Sequence, residues 1–181
     1  AFLNDERVAF LSVHQYQPGF YPGTGWINEA PHARKRVVNV PLPARAGDHV
    51  YEQVAERIFT SFVESFKPQM ILISVGFDAH WSDPITMLGL STAGYLMLAN
   101  KVMALAEEYC SGKIVFVLEG GYDPLNVANG TEAGFVAATG TLRVMDYAWL
   151  SPALTGLPAV LRKMSKIEMA ALRNSEEGRR M

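Results

Sequence analysis

Three side chains that could bind a metal ion follow one short apolar segment of the chain. The segment 71–75 (ILISV) has the uninterrupted hydrophobicity of a strand buried in a parallel sheet. Asp78, His80 and Asp83 come soon after it, without a Lys or Arg among them. Ligands bind at the carboxyl ends of strands in open α/β sheets, and carboxylate with imidazole suits zinc or another first-row metal. The alternative is that Asp78 and Asp83 only cap turns around Pro84.

A second candidate for chemistry follows the next apolar segment, 113–118. There Gly120 and Gly121 precede Tyr122, and glycine adopts backbone conformations that let a chain approach a ligand closely. A phenol presented in this way can donate a hydrogen bond to a developing oxyanion. The alternative is a plain turn followed by a half-buried aromatic ring. Because parallel strands end at one edge of a sheet, we expect Tyr122, residues 78–83, which we call the acidic loop, and residues 12–14 to face one crevice.

Strands and helices alternate along the rest of the chain. Apolar runs predict the strands, and apolar residues at helical spacing between capping and stop residues predict the helices. The predicted strands are 7–14, 35–42, 71–75 and 113–118, and the predicted helices are 49–66, 91–110 and 124–139. This order predicts an α/β fold of three layers, with a mostly parallel, buried sheet and helices on both faces. We expect Asp48 to cap the first helix, Ser91 or Thr92 to cap the second, and Gly112 to end it.

Residues 15–34 form a long segment with neither a helix nor a strand pattern. Loops of this length in a compact domain are usually functional or disordered. The segment is rich in aromatic residues, namely Tyr16, Phe20, Tyr21 and Trp26. Because disordered segments have few aromatic residues, we predict an ordered, functional loop.

The composition limits the class of protein. The chain has 181 residues, of which 49% are hydrophobic, a formal net charge of −2 and one cysteine. A chain of this size can bury a substantial core, and its charge argues against direct binding of nucleic acid. The cysteine content suits a reducing compartment, so we expect a cytoplasmic protein. No apolar run approaches the length of a membrane-spanning helix, so we expect no membrane partner.

The motifs together resemble those of a known enzyme family. SVGFDAHWSDP, followed after a helix by VFVLEGGYD, is similar to motifs of the histone deacetylase superfamily of zinc amidohydrolases. The branch that it resembles most contains the class II enzymes and the bacterial acetoin-utilisation and acetylpolyamine proteins. SVHQYQPGFYPGTG and RVVNVPLPARAGDHVY fit the same family in the same order, and the similarity covers about residues 8–140. The resemblance implies an arginase- and deacetylase-like fold over residues 1–150. It does not extend to residues 151–181, for which we expect a helical tail without an assigned role.

The resemblance assigns chemical roles to individual residues. Asp78 matches the third zinc ligand of the family. Tyr122 matches the tyrosine that polarises the acetyl carbonyl and stabilises the tetrahedral oxyanion. His80 and Asp83 are common in this branch but are not zinc ligands there, since the Asp-x-His ligand pair of the family lies on an earlier strand.

The resemblance also implies a substrate tunnel. Phe20 and Tyr21 match its aromatic wall, with Tyr21 in place of what is often Phe. Gly120 and Gly121 match positions that shape the wall, and Ile85 matches an apolar residue at the lip.

A second cation is implied next to the zinc. The Ser12 hydroxyl and the Val13 carbonyl match contributors to a potassium site in the family. We expect His14, which follows them, to pack at the end of the strand and not to bind metal.

One part of the family pattern is absent from this sequence. The chain contains four histidines, and no two of them are adjacent. The general-base His-His pair of the family and its first two zinc ligands precede the region that this chain resembles. Together with a start that lacks Met, this implies the carboxyl-terminal half of a domain that removes acetyl groups from acetyl-lysine or acetylated amines. We expect the chain alone to be inactive, and its main partner to be the N-terminal half of the domain.

Two other classes of function stay open. A non-catalytic α/β interaction module could keep the fold without the chemistry, although it would have no use for Asp78 and Tyr122 on one edge. An unrelated α/β hydrolase would need a nucleophile. The sequence has no Gly-x-Ser-x-Gly elbow, and Cys110 lies in a predicted helix without a nearby His.

Overall fold

Strands and helices alternate along the chain as the sequence predicts. A computed structural model describes residues 2–33 and 35–139, which belong to one compact unit, Ala1–Leu142; the predicted tail at 151–181 lies outside the described residues. The strands are β1 (Phe10–Gln15), β2 (Val37–Leu42), β3 (Ile71–Val75) and β4 (Ile114–Leu118). The helices are α1 (Asp48–Val54), α2 (Thr60–Phe66), α3 (Thr92–Cys110) and α4 (Pro124–Thr139), with a π-helical segment at Ala55–Phe59 and 3-10 turns at Pro31–Ala33 and Phe77–Ala79. None of the described helices combines the length and hydropathy that crossing a bilayer requires.

The strands are parallel, but they form two separate pairs. β1 pairs with β2 in the register Val13↔Val40, and β3 pairs with β4 in the register Ile73↔Phe116. Within the described residues, no strand pairing joins the two pairs into one sheet. The predicted α/β class with parallel strands is therefore confirmed, whereas a continuous sheet is not seen in this part of the chain.

The prediction that β3 and β4 are fully buried is wrong for the described chain. Leu72 is 67% exposed and Val117 is 45% exposed. Leu72 pairs with Val115 and Ser74 with Val117, so these four side chains share one side of the strand pair, which we call the outer face. Uninterrupted hydrophobicity is typical of strands that are covered on both faces. Such a pattern indicates that other residues pack on both faces of a strand, but it does not identify those residues.

We expect the chain to associate with itself through the outer face. Uncovered strands with apolar side chains tend to pair or stack with other copies. Leu72→Thr combined with Val117→Thr reduces the apolar surface and keeps residues that suit a strand. The fraction of oligomer, measured by size-exclusion chromatography with light scattering, should fall. The free energy of unfolding should change by less than about 0.5 kcal/mol for each exposed side chain.

Val75→Thr is the matched control for this pair of substitutions. Val75 lies on the same strand but packs against the buried core. Its replacement puts a hydroxyl among apolar side chains, so it should lower the free energy of unfolding by about 1–3 kcal/mol and leave the association unchanged. A wild-type chain that stays monomeric at high concentration and melts cooperatively would contradict the expectation.

The start of α1 differs from the prediction that Asp48 caps it. Asp48 is the first residue of α1, and Gly47 occupies the capping position. The Asp48 carboxylate accepts hydrogen bonds from the backbone N–H of Ser91 at 2.7 Å and from its hydroxyl at 2.6 Å. Ser91 in turn caps α3 as predicted, since its Oγ accepts the N–H of Gly94 at 3.1 Å. The carboxylate of Asp48 thus bonds to Ser91, at the start of α3, and not to a backbone N–H of its own helix.

α3 ends at Cys110 as predicted, and the turn that stops it begins at Ser111, one residue before the predicted glycine. Ser111 adopts the left-handed conformation, with φ of 52°, and Gly112 follows it with φ of 74°. Gly112 donates its N–H to the Ala106 carbonyl at 3.0 Å, which satisfies one of the last carbonyls of the helix. The glycine therefore completes the stop that Ser111 begins.

Residues 86–90, which we call the junction segment, connect the two strand pairs. The N–H of Met87 donates to Oε1 of Gln15, at the end of β1, at 2.8 Å. The N–H of Leu90 donates to the carbonyl of Ala79, just beyond β3, at 3.0 Å. Leu90 is 1% exposed and lies in the main hydrophobic cluster. The segment thus fixes the ends of β1 and β3 relative to each other.

Candidate functional site

Asp78 lies just beyond the carboxyl end of β3, as predicted. It belongs to the 3-10 turn Phe77–Ala79, and its side chain is half-buried. Burial raises the pKa of this carboxyl above its ordinary value, and the negative charge of Asp83 raises the pKa further. A half-buried carboxylate of this kind would be stabilised in its charged form by a bound cation.

Two glycines allow the backbone to pack closely against the Asp78 carboxylate. A β-carbon on Gly76 would lie 2.5 Å from Oδ1 of Asp78, and a β-carbon on Gly120 would lie 2.6 Å from Oδ2. Both distances are shorter than van der Waals contact, so a side chain at either position would displace the carboxylate. The N–H of Phe77 donates to the Gly120 carbonyl at 2.9 Å, which fixes the glycine turn against the acidic loop.

Gly120→Ala should therefore disturb the site, and Gly134→Ala is its matched control. The alanine at 120 must push the Asp78 carboxylate aside, and we expect the free energy of unfolding to fall by about 1–3 kcal/mol. Gly134 lies in α4, and no atom of the described residues comes within 4 Å of its added β-carbon, so alanine there should raise the same quantity by about 0.5–1 kcal/mol. Chemical denaturation of both variants measures the two changes. Equal effects of the two substitutions would mean that Gly120 is not packed against Asp78.

Tyr122 lies beyond the carboxyl end of β4, and its side chain is 58% exposed. Its backbone N–H donates to Oδ2 of Asp83 at 2.9 Å. Gly121, just before it, has φ of 130°, and a β-carbon there would lie 2.9 Å from Cγ2 of Val127 and 3.0 Å from Cβ of Phe77. Only glycine fits this turn, because its φ is positive and Val127 and Phe77 pack against it. The close approach of this backbone to a ligand stays a prediction.

The three acidic and imidazole groups after β3 do not form a metal site together. Asp83 is 7% exposed, and its Oδ1 accepts the N–H of Ile85 at 2.8 Å, so the turn-cap alternative describes this residue correctly. His80 is equally buried, and burial lowers the pKa of its ring; its Nδ1 lies 2.9 Å from Oγ of Ser82. Among the described residues, no group of three His, Cys, Asp or Glu side chains could hold a metal ion.

Ser12 and Val13 lie in β1, which belongs to the other strand pair. Nε2 of His14 donates to the Gly25 carbonyl at 3.0 Å, which leaves Nδ1 to accept the Ser12 hydroxyl at 2.9 Å. His14 thus ties β1 to the long loop, in keeping with the packing role expected for it. The link from β1 towards the acidic loop runs through Gln15 and the junction segment.

The long loop is held by bonds among its own residues. Oε1 of Glu29 accepts the N–H of Gly25 at 2.7 Å and the N–H of Trp26 at 3.0 Å, and these bonds lower the pKa of Glu29. The rings of Tyr16 and Trp26 lie 5.1 Å apart. These contacts account for the order that the aromatic content predicted.

The predicted tunnel residues lie in two places. Tyr21 is 88% exposed and Phe20, beside it in the long loop, is half-buried. Ile85 is 58% exposed and lies next to the acidic loop, where its N–H bonds to Asp83. The described contacts join Ile85, Gly120 and Tyr122 into one cluster with the acidic loop; they do not join the aromatic pair to it.

The sequence pattern does not predict all of the contacts that Asp83 makes. The pattern predicts a turn cap or a metal ligand, but it does not indicate the bond to Tyr122, which lies 39 residues further along. A signal was present in the repeated dipeptide Asp-Pro, since Asp83-Pro84 and Asp123-Pro124 each follow one of the two paired strands. A shared capping role could be inferred from that repeat, whereas the contact between the two turns could not.

The chain is similar to known proteins over about three quarters of its length. A model of the histone deacetylase domain matches residues 1–138. A protein from Archaeoglobus fulgidus described as a probable deacetylase is 43% identical over 139 residues, which are 76% of this chain and 38% of that protein. Histone deacetylase 14, chloroplastic, from Arabidopsis thaliana is 40% identical over 142 residues, which are 77% of this chain and 33% of that protein. The chain thus spans less than two fifths of the length of these relatives.

Solved structures resemble the chain to the same extent. An acetylpolyamine aminohydrolase from Burkholderia pseudomallei superposes with a TM-score of 0.67 and 27% identity, covering 78% of this chain and 40% of that one. The histone deacetylase Clr3 superposes with a TM-score of 0.69 and 30% identity, covering 80% of this chain and 26% of that one. The fold expected from the sequence is therefore confirmed over the matched part of the chain.

Proposed function

The chain belongs to the histone deacetylase family, and from this membership we propose that it forms the part of a deacetylase domain that presents Asp78 and Tyr122 to an acetylated amine. One observation carries the proposal, namely that the acidic loop and the glycine turn are bonded together at the ends of two paired strands. The Asp78 carboxylate lies against Gly120, and Asp83 holds the N–H of Tyr122 at 2.9 Å. A ligand for a cation and a hydrogen-bond donor for an oxyanion are two of the groups that metal-assisted hydrolysis of an amide uses at one place.

The proposed zinc ion needs more ligands than the described residues supply. Zinc sites use three or four protein ligands, and the described chain offers no such group, so its residues do not fit zinc by themselves. We propose that Asp78 is one ligand and that the others come from the rest of the domain. When bound, zinc supplies a Lewis acid and lowers the pKa of a water molecule. The close backbone packing that Gly76 and Gly120 allow supports this role, because it fixes the position of the Asp78 carboxylate beyond the end of β3.

The contribution of the chain to the reaction is then the phenol of Tyr122. Tyr122 is exposed and Asp83 holds its backbone, so the hydroxyl can reach an acetyl carbonyl from a fixed backbone position. We propose that it donates a hydrogen bond that strengthens as negative charge builds on the carbonyl oxygen. Gly121, with φ of 130°, provides the turn that brings Tyr122 to the edge of the strand pair.

The proposed substrates are acetyl-lysine in a protein or an acetylated small amine. Both kinds occur in the names of similar proteins, as a histone deacetylase and an acetylpolyamine aminohydrolase. We propose that Phe20, Tyr21 and Ile85 contact the acyl chain, because their side chains are at least partly exposed. Ser12 and Val13 remain the proposed contributors to a potassium site.

The isolated chain should not deacetylate and should bind zinc weakly. Asp78 alone cannot replace the several ligands that zinc requires. Purified chain should therefore turn over neither an acetyl-lysine peptide nor an acetylated polyamine, and little zinc should remain after dialysis. The complete domain, meaning this chain together with the rest of its deacetylase domain, should be active and should lose activity to a chelator.

The two arms of this experiment test different statements. Turnover by the isolated chain that a chelator abolishes would refute the assignment of the missing ligands to the rest of the domain. A folded complete domain that contains zinc and cleaves neither substrate would refute the proposed function itself.

A further inference from the structure

Asp83 is a buried carboxylate to which the proposed chemistry assigns neither the metal nor the substrate. It is 7% exposed, and none of the described residues forms an ion pair with it. A buried charge is costly unless hydrogen bonds compensate for the lost water. The bonds that it makes should therefore indicate why a carboxylate is present at this position.

Asp123 provides an internal comparison, because both residues begin an Asp-Pro turn. Oδ1 of Asp83 accepts the N–H of Ile85 at 2.8 Å and that of Thr86 at 3.4 Å. Oδ1 of Asp123 accepts the N–H groups two and three residues further along at 2.8 Å and 3.3 Å. The cap of each turn thus uses a single oxygen. Asp83 differs in its second oxygen, which accepts the N–H of Tyr122 at 2.9 Å.

We propose that Asp83 is a positioning residue for Tyr122, holding its backbone through Oδ2 while Oδ1 anchors the acidic loop. Two glycines precede Tyr122, and glycine restrains a turn less than any other residue does. The bond from Asp83 supplies a fixed point at the residue that carries the phenol. Such a fixed point matters because a misplacement of about 1 Å at a reacting group can lower a rate about 10²-fold. The statement about the rate rests on the proposed function, whereas the statement about the backbone does not.

The decisive variant is Asp83→Asn, with Asp123→Asn as its matched control. The asparagine oxygen can keep the cap to Ile85 and Thr86, but its NH2 group then faces the N–H of Tyr122, and two donors repel each other. Hydrogen exchange of the Tyr122 amide, measured at single-residue resolution on the full chain, should accelerate at least about tenfold. The Ile85 amide should exchange as in the wild type. In Asp123→Asn, the Tyr122 amide should be unchanged, because that carboxylate caps only its own turn.

The wild-type chain gives a second measurement that needs no variant to fold. The Tyr122 amide should be protected from exchange as strongly as the Ile85 amide, although the residue lies in neither a helix nor a strand. An unprotected Tyr122 amide in the wild type would overturn the proposal. Equal acceleration at Tyr122 in Asp83→Asn and Asp123→Asn would overturn it as well.

Kinetics of the complete domain separate positioning from general stability. Asp83→Asn should lower kcat at least about tenfold with KM within about twofold, and it should add little further loss when Tyr122→Phe is already present. Full additivity of the two losses would show that Asp83 does not act through Tyr122. If the wild-type domain has no activity, the proposed function fails, and the exchange result still decides the role of Asp83 in holding the backbone.

Discussion

Tyr122→Phe in the complete domain should lower kcat by about 10²–10³-fold and leave KM within a few-fold. The hydroxyl is expected to bond most strongly to the oxyanion and only weakly to the neutral carbonyl. Removal of the hydroxyl should therefore lower mainly the rate of the chemical step. The ring stays in place, so the fold and the zinc content should be retained. Steady-state kinetics with an acetyl-lysine peptide, together with metal analysis of the same sample, measure both quantities.

Tyr21→Phe is the matched control for this result. Tyr21 is also exposed, and the substitution likewise removes one phenolic hydroxyl, but from the long loop. We expect it to change kcat by less than about threefold, because the ring that is proposed to contact the acyl chain is retained and the lost hydroxyl is not the proposed oxyanion donor. If Tyr122→Phe kept a near-normal kcat, Tyr122 would be a wall residue and not the oxyanion donor.

Asp78→Ala in the complete domain should remove the metal and with it the activity. Metal catalysis contributes several kcal/mol to the stabilisation of the transition state, which corresponds to about 10³-fold or more in rate. The two variants should therefore differ in kind, since Tyr122→Phe gives a slow, zinc-replete domain and Asp78→Ala gives a zinc-poor one. Metal analysis after dialysis distinguishes them. Asp123→Asn, which removes a carboxylate from the same edge, should keep both zinc and activity.

The stability of the isolated chain should not fall when the Asp78 charge is removed. The pKa of this carboxyl is raised in the folded chain, so the charged form is less favourable there than in the unfolded chain. Its unfavourable contribution is therefore absent below the unfolded pKa and grows as the pH rises through the folded pKa. Asp78→Asn should relieve it at neutral pH, which chemical denaturation can measure. Loss of zinc from the complete domain, without loss of stability in the isolated chain, would identify Asp78 as a ligand and not as a structural residue.

Local sequence signals predicted the secondary structure well where the partners are local. The helix predicted at 124–139 has the observed bounds of α4, and Ser91 caps α3 through the N–H three residues further along. Asp48 was predicted to cap in the same way, but its carboxylate bonds to Ser91, which lies 43 residues away. The chemistry of a capping residue can be inferred from the sequence, whereas the choice between a local and a distant partner depends on how the helices pack.

The sequence predicted the position of β3 and β4 correctly and their burial incorrectly. Hydrophobicity at Leu72 and Val117 identifies strands that require cover, and the described residues leave both side chains exposed. Burial is a property of the whole sheet, so it cannot be inferred from two of its strands. The same limitation applies to the single predicted sheet, of which two separate pairs are observed.

The sequence identified the residues of the candidate site but only some of the contacts between them. The expected meeting of the acidic loop with Tyr122 is observed, because β3 and β4 are adjacent and parallel. The expected meeting with Ser12 is not seen among the described contacts, because β1 belongs to the other pair. The bond between Asp83 and Tyr122 depends on how the turns that follow β3 and β4 are placed relative to each other. The spacing of residues in the sequence does not specify that placement.

The junction segment has a consequence for how the chain can vary in length. Loops usually accept insertions because their backbone groups face water. Here the backbone of Met87 is engaged on both sides, with its N–H on Gln15 at 2.8 Å and its carbonyl accepting the N–H of Arg45 at 2.6 Å. The carbonyl of Leu90 accepts the N–H of Trp81 at 2.9 Å, which closes the segment at its other end. One residue inserted between 86 and 90 would move these backbone groups away from their partners. Insertions should therefore accumulate in the long loop at 15–34 and be excluded from the junction segment.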